Sequence, residues 1–322
     1  MPRPRTNRRF WLSFAICGLA IAMGVVNWAS NDARGEAKGD APLVMIVMDP
    51  LAKPLSCPCV EGYAQRDYDK LAAALEKSLG RKIAVVYNDS LKAALKRKES
   101  GGTADIVIGK QSVVLADAKA AEVPLAKIAM LSGKDGATTQ TGLVVVTKDD
   151  PAEKVGDLGG YAMYLGPAES DEKHAAAKAL LKQSGVAIPD KVEIAAACDE
   201  GALEILELAK EGKRGFAVIS SYAKPLLEGC GTIDKGAIRV VGETVAVPFI
   251  AAFVSEKLDA KTREAVTKAV LESTGDLTLR VALETKSGFV VEARAAGPAT
   301  PVKAVPKKTG ARDAASAGAK KK

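Results

Sequence analysis

Two cysteines separated by one proline, Cys57-Pro58-Cys59, are the densest chemical feature of this 322-residue chain. Thiolates at that spacing can ligate a soft metal such as copper(I) or carry redox chemistry, with Met45 and Met48 upstream as further sulfur donors. Those methionines are three positions apart on an extended run, so they face opposite sides of it and read as core filler. With Cys198 and Cys230 added, the same thiols read as a disulfide framework, because an exported chain oxidises its cysteines. Of the chain's five cysteines, these four lie in the body, and four allow three pairings. Cys198 and Cys230 lie in the same half of the chain and suit a mutual pair. Cys57 and Cys59 are then left to pair across one proline or to stay reduced.

Catalytic constellations are absent. His174 is the single histidine, set among alanines on an expected helix, and no Gly-x-Ser-x-Gly elbow accompanies it. No Walker A run, dinucleotide glycine fingerprint or HExxH motif occurs. The chain is therefore expected to be no enzyme and to carry no cofactor. What remains is a set of polar groups where strands should end: Lys110-Gln111 after one buried strand and Ser220-Ser221-Tyr222 after another. Lys53 and Ser56 join them on the loop Asp49–Glu61, which holds both cysteines of the Cys-Pro-Cys run and three prolines. A thirteen-residue loop is longer than a connector needs, and ligands in open α/β sheets bind at the carboxyl ends of strands. The loop is expected to form one wall of a binding cleft.

The elements that would position these groups alternate. Leu43–Met48 is a continuous apolar run, the pattern of a strand buried on both faces. A helix is expected over 62–79, with Gly80 as its cap. Strand 83–87, helix 90–99, strand 104–109 and a helix through Ala121 follow, a β-α-β-α-β-α order that implies parallel strands. After strands 126–131 and 142–147, a second series is expected. It comprises strand 161–165, helix 171–183, strand 192–197, helix 201–210, strand 215–220, a short helix to Glu228 and strand 238–241. The run 247–254 leads back towards the first lobe, and helices 259–273 and 277–284 end the body.

The totals sharpen this reading. The formal charge is +7, but residues 1–9 carry four arginines and residues 294–322 a net seven positive charges, so residues 10–293 carry −4. A mildly acidic body without a basic, aromatic-interleaved stripe excludes a nucleic-acid partner. Phe10–Ala29 lacks charge and follows a basic start, as in an export signal or an uncleaved anchor over 1–35. Ala33-Arg34-Gly35 would suit cleavage, and Arg8-Arg9 fits the twin-arginine pattern only loosely. Without cleavage, residues 10–29 would tether the protein to the inner membrane, with its body in the periplasm. The tail 294–322 is Ala/Pro/Lys/Gly-rich and expected to be disordered.

The order of motifs resembles the periplasmic substrate-binding proteins of phosphate/phosphite/phosphonate ABC transporters. The matching stretches are Tyr68 and Leu71 to Gly80, Ala104–Gly109, Gly142–Pro151, Val155–Gly159, Gly201–Leu203 and Gly215–Ile219, covering roughly residues 43–285. The resemblance implies an α/β, two-lobed type II periplasmic-binding-protein-like fold, each lobe a mostly parallel sheet flanked by helices. Lobe 1 would span 40–141 plus 246–290, lobe 2 would span 142–245, and hinge strands would lie near Gly142 and Val247. It implies a small polar ligand, phosphonate- or phosphate-like, held between the lobes of a monomer that is read by an ABC permease or a membrane sensor. Where phosphonate binders carry a Ser-Thr-Ser-Gly-like run at a helix start, this chain has Gly166-Pro-Ala-Glu169-Ser170-Asp171-Glu172, leaving Ser170 as the only hydroxyl. Asp199-Glu200 matches the acidic pair that holds a ligand amine. The alternative is an accessory, metal-handling or redox protein working through Cys57-Pro58-Cys59.

Overall fold

The computed structural model describes residues 41–57, 60–61, 64–273 and 275–291. The expectations for the export segment, for Cys59 and for the basic tail fall outside these residues. The chain divides into units 1–38 and 39–322, and the second, with its own hydrophobic core, is the folded body considered below.

The body opens with β1 (Leu43–Met48), α1 (Tyr68–Leu79), β2 (Ile83–Tyr87), α2 (Leu91–Ala94), β3 (Ile106–Lys110), α3 (Gln111–Ala120) and β4 (Leu125–Leu131). Next come β5 (Thr139–Gln140), β6 (Gly142–Thr147), β7 (Ala162–Leu165), α4 (Ala175–Gln183), β8 (Glu193–Ile194), α5 (Glu200–Lys210), β9 (Gly215–Ser220), α6 (Ala223–Gly229) and β10 (Ile238–Glu243). It closes with β11 (Val247–Pro248), β12 (Ile250–Ser255), α7 (Ala260–Ser273), α8 (Leu277–Ala282) and β13 (Phe289–Val290).

Two sheets organise two α/β lobes. The first runs β13-β4-β12-β3-β1-β2 and the second β10-β6-β9-β7-β8. The expected parallel order holds for β2-β1-β3 and for β8-β7-β9. It does not extend to the whole of either sheet. Strands β12, β4 and β13, and likewise β6 and β10, pair antiparallel, so both sheets are mixed. The cause is the path of the chain: β12 returns from the second lobe and enters the first sheet against β3 and β4. Every residue of β1 is buried, because helices cover both faces of its sheet. Met45 packs on the α1 side and Met48 on the opposite side, as their spacing requires.

The crossing between lobes is made by two antiparallel segments. Strand β5 pairs with β11, and Gly142 and Thr244 exchange bonds at 2.7 and 2.9 Å. Glycine is required at 142, since a Cβ there would collide with the Glu172 carbonyl oxygen.

Three elements depart from the sequence expectation in ways that matter for the site. Helix α1 begins at Tyr68 with Asp67 as its cap, because Arg66 is drawn inward beside Asp49. Helix α4 begins at Ala175 instead of Asp171. The Gly166 N–H is bonded to the Lys173 carbonyl at 3.1 Å, and the intervening turn points Glu172 and Lys173 inward together. On a regular helix their side chains would diverge by about 100°, whereas in this turn both are buried. Strand β8 is only Glu193–Ile194, and residues 196–199 form a loop.

Candidate ligand-binding cleft

The parallel strands of both sheets point their carboxyl ends at one cavity of about 580 Å³. Met48, Leu51, Leu55, Ser56 and Cys57 line it from the end of β1, and Lys110 from the end of β3. From the second lobe come Ser170 and Lys173 after β7, Cys198 and Asp199 after β8, and Ser220 and Tyr222 after β9. Ligand sites form where such strand ends meet.

Two of the lining residues, Lys110 and Ser220, belong to a bridge between lobes. Lys110 Nζ donates to Glu172 Oε1 at 2.6 Å, and Ser220 Oγ donates to the same oxygen at 2.6 Å. Glu172 is fully buried and Lys110 is 6% exposed. The second oxygen, Oε2, is buried with no hydrogen-bond partner among the described residues. A second interlobe contact stacks Tyr222 on Phe249, with ring centroids 5.2 Å apart and planes 20° apart. Arg66 lies over the Phe249 ring at 5.5 Å, and its guanidinium donates to Asp49 Oδ2 at 2.8 Å. Tyr68 Oη donates to that same oxygen at 2.5 Å. Asp49, at the end of β1, is therefore neutralised in place by a buried arginine and a buried tyrosine.

Lys173 differs from these paired charges. The residue is 6% exposed, and among the described residues its amine bonds only to the backbone carbonyls of Ala195 and Ala196, at 3.5 and 3.3 Å. Burial first, and then the Lys110 ammonium, hold it below the usual lysine value of 10.5, although Glu172, Cys198 and Glu200 act in the other direction. Burial, and next Glu172, push the Tyr222 hydroxyl well above its ordinary range.

Of the residues singled out by sequence, the cavity gathers Ser56, Lys110, Ser170, Asp199, Ser220 and Tyr222. Four others point elsewhere. Lys53 is exposed, and Gln111 accepts from Lys127 at 3.1 Å. The Glu200 carboxylate ties down the loop before its own helix by accepting from the Ala196 and Ala197 N–H groups, and Ser221 Oγ accepts from the Thr141 N–H. Sequence reasoning misses Lys173 and Glu172, because a helix from Asp171 leaves them on a solvated first turn.

The cysteines also need correcting. Cys198 and Cys230 are free thiols, so the expected pair is not formed. Cys230 sits at the end of α6, where its sulfur bonds to the Leu227 carbonyl at 3.5 Å and lies 3.0 Å from Thr232 Oγ1. Cys57 is disulfide-bonded. Oxidation removes the thiolate that the metal-handling alternative needs, and no group of three metal-ligating side chains occurs among the described residues.

A sequence model of a family described as "ABC transporter, phosphonate, periplasmic substrate-binding protein" matches residues 62–291. No curated protein matches the chain by sequence. Among solved structures, the binding-protein component of an ABC phosphonate transporter from Pseudomonas aeruginosa superposes with a TM-score of 0.58 at 11% identity. The match covers 78% of this chain and 81% of that one. PhnD1 from Prochlorococcus marinus, in complex with methylphosphonate, gives 0.56 at 12% identity, over 77% and 92%. A Xanthomonas citri protein bound to ATP gives 0.56 at 14% identity, over 78% and 90%. These likenesses establish the two-lobed fold of type II periplasmic binding proteins. Among the described residues, no helix is long and apolar enough to cross a membrane.

Proposed function

Because the chain belongs to the family of periplasmic substrate-binding proteins of phosphonate ABC transporters, we propose that it captures a small solute in the cavity beneath Tyr222. A membrane permease or sensor then reads the closed form. The observation that carries this is the 580 Å³ cavity, walled by strand ends of both sheets. The lobes would be 40–141 with 246–290 and 142–245, and the paired segments β5 and β11 would serve as the hinge. Lys173, Ser170 and Tyr222 are the groups offered to the ligand's polar part, with Ser56 and Asp199 nearer the mouth. The protein works outside the cytoplasm as a monomer, with residues 10–29 as its tether if they are retained. It performs no turnover.

Native mass spectrometry of residues 39–322, prepared from a periplasm without reductant, tests this reading. A co-purified organic solute that is lost on denaturation supports it. An empty protein that no small anion stabilises against heat overturns it.

A further inference from the structure

Resting on that reading, we propose that the cleft selects an organic monoanion with an apolar body, such as a carboxylate or sulfonate, whose head sits on Lys173. Three independent features of the cavity converge on this class.

The first is the arithmetic of buried charge. Lys110 is committed to Glu172 at 2.6 Å, and Arg66 is committed to Asp49 at 2.8 Å. Lys173 is the one cavity-lining ammonium without a direct carboxylate partner among the described residues, being bonded only to two carbonyls. A buried ammonium in that state favours one negative charge, and the low dielectric magnifies the interaction. A second charge on the ligand would face the carboxylates at the mouth, Asp89, Glu169 and Asp199. Dianions are therefore disfavoured.

The second is that the turn before α4 has already spent three of its amide donors. Around the turn before α4, the N–H groups of Ser170, Lys173 and His174 already donate to backbone carbonyls at 2.8–3.0 Å. A multiply charged oxyanion needs several free donors at such a turn. A carboxylate or sulfonate can be held by one ammonium and the Ser170 hydroxyl.

The third is the wall. Leu51, Leu55, Val60, Val113, Leu226 and Leu227 line the cavity from both lobes. Leu51, Val60 and Leu227 are already buried, but a phosphate-sized solute would leave the half-buried Leu55, Val113 and Leu226 facing water. A chain of several methylenes or an aromatic ring would cover them, with a gain of about two- to fourfold in affinity per methylene.

Titration calorimetry on residues 39–322 decides the matter, using acetate, butanoate, hexanoate and hexanesulfonate against methylphosphonate and inorganic phosphate. Affinity is expected to rise about two- to fourfold per methylene along the carboxylates. Hexanoate and hexanesulfonate should bind about tenfold or more tightly than methylphosphonate. Lys173→Met should abolish this, and Lys173→Arg should retain most of it. Should Lys173→Met fail to fold, the chain-length slope on the unaltered protein still decides. Methylphosphonate or phosphate binding more tightly than hexanoate would overturn this ligand class while leaving the solute-binding reading intact. Binding by none of the six, in a protein that also co-purifies with no solute, would overturn both.

Discussion

Lys110 Nζ lies 2.6 Å from Glu172 Oε1, joining the end of β3 in one lobe to the turn before α4 in the other. Each side chain is more than nine-tenths buried. Taking both charges out of water is costly, so the pair does more to specify how the lobes meet than to stabilise the fold outright. Removing one partner is a different matter, because it strands a buried charge. Lys110→Met is expected to destabilise the protein by about 3–5 kcal/mol in urea unfolding. Combining it with Glu172→Leu should restore most of the loss. A loss below about 1 kcal/mol for Lys110→Met would show that Glu172 finds water when the lysine is gone.

Much of this architecture is legible from residue order. The run Leu43–Met48 identifies a doubly covered strand, and Asp67, Tyr68 and Gly80 bound a helix in the structure. The placement of the cleft at strand ends also follows, and it brings Lys110, Ser220 and Tyr222 together. What escapes the sequence is the inward pair Glu172 and Lys173. Read as a helix start, Glu169-Ser170-Asp171-Glu172 looks like ordinary capping acids. The competing cause is a tertiary contact between residues about thirty positions apart: Gly142 lets the Glu172 carbonyl approach β6 and holds the segment as a turn. Asp49 escapes for a similar reason. Asp-Pro reads as a turn signal, whereas its carboxylate is held by Arg66 and Tyr68 from the far end of the loop. The antiparallel entry of β12 depends on where the chain returns, which local patterns do not encode.

That Gly142 contact yields its own prediction. Gly142→Ala must either displace the Glu172 carbonyl or spread β6 from the following turn, and overpacking of this kind costs about 1–3 kcal/mol. Because Glu172 is the partner of Lys110, the strain reaches the interlobe bridge. The variant should lower the melting temperature and expand the body in small-angle scattering. Unchanged scattering with lowered stability would confine the effect to the second lobe.

At the base of β1, Asp49 Oδ2 accepts from both Tyr68 Oη and Arg66. Burial, and next Asp49, raise the Tyr68 hydroxyl well above its usual 10.0. A tyrosine raised in the folded state contributes stability that is complete below the unfolded value and lost as pH climbs above it. Tyr68→Phe should cost about 1–3 kcal/mol at neutral pH, as a hydrogen bond to a charged group does. Its deficit relative to the unaltered protein should narrow once pH passes 10. A deficit that stays constant through alkaline pH would place the loss in packing and not in this bond.

Cys198 lines the cavity as a free thiol, and burial, followed by Asp199, pushes its pKa upward. Only the thiolate reacts, so alkylation by iodoacetamide near neutral pH should be slower than for an exposed cysteine. A bound solute should slow it further, by at least about tenfold at saturation, whereas Cys230 should keep its rate. Equal protection of both thiols would indicate global stabilisation instead of occupancy of the cleft.

Lys173 makes the cleft sensitive to alkaline pH in two opposite ways. Its folded pKa is held below 10.5 by burial and by Lys110, so between that folded value and 10.5 the unfolded chain binds more protons than the folded one. The stability of the empty protein should therefore gain from this residue as pH rises through that window, and Lys173→Met should lack the gain. Anion binding runs the opposite way, since it needs the charged amine. Affinity should be flat below the folded pKa and fall up to tenfold per pH unit above it. Inside the window, binding should draw a proton onto Lys173. Calorimetry of hexanoate in buffers of different ionisation enthalpy measures that uptake directly. Uptake in the unaltered protein and none in Lys173→Arg, whose guanidinium stays charged, would identify this amine as the group that meets the ligand. Equal uptake in both would assign the proton to another residue of the cleft.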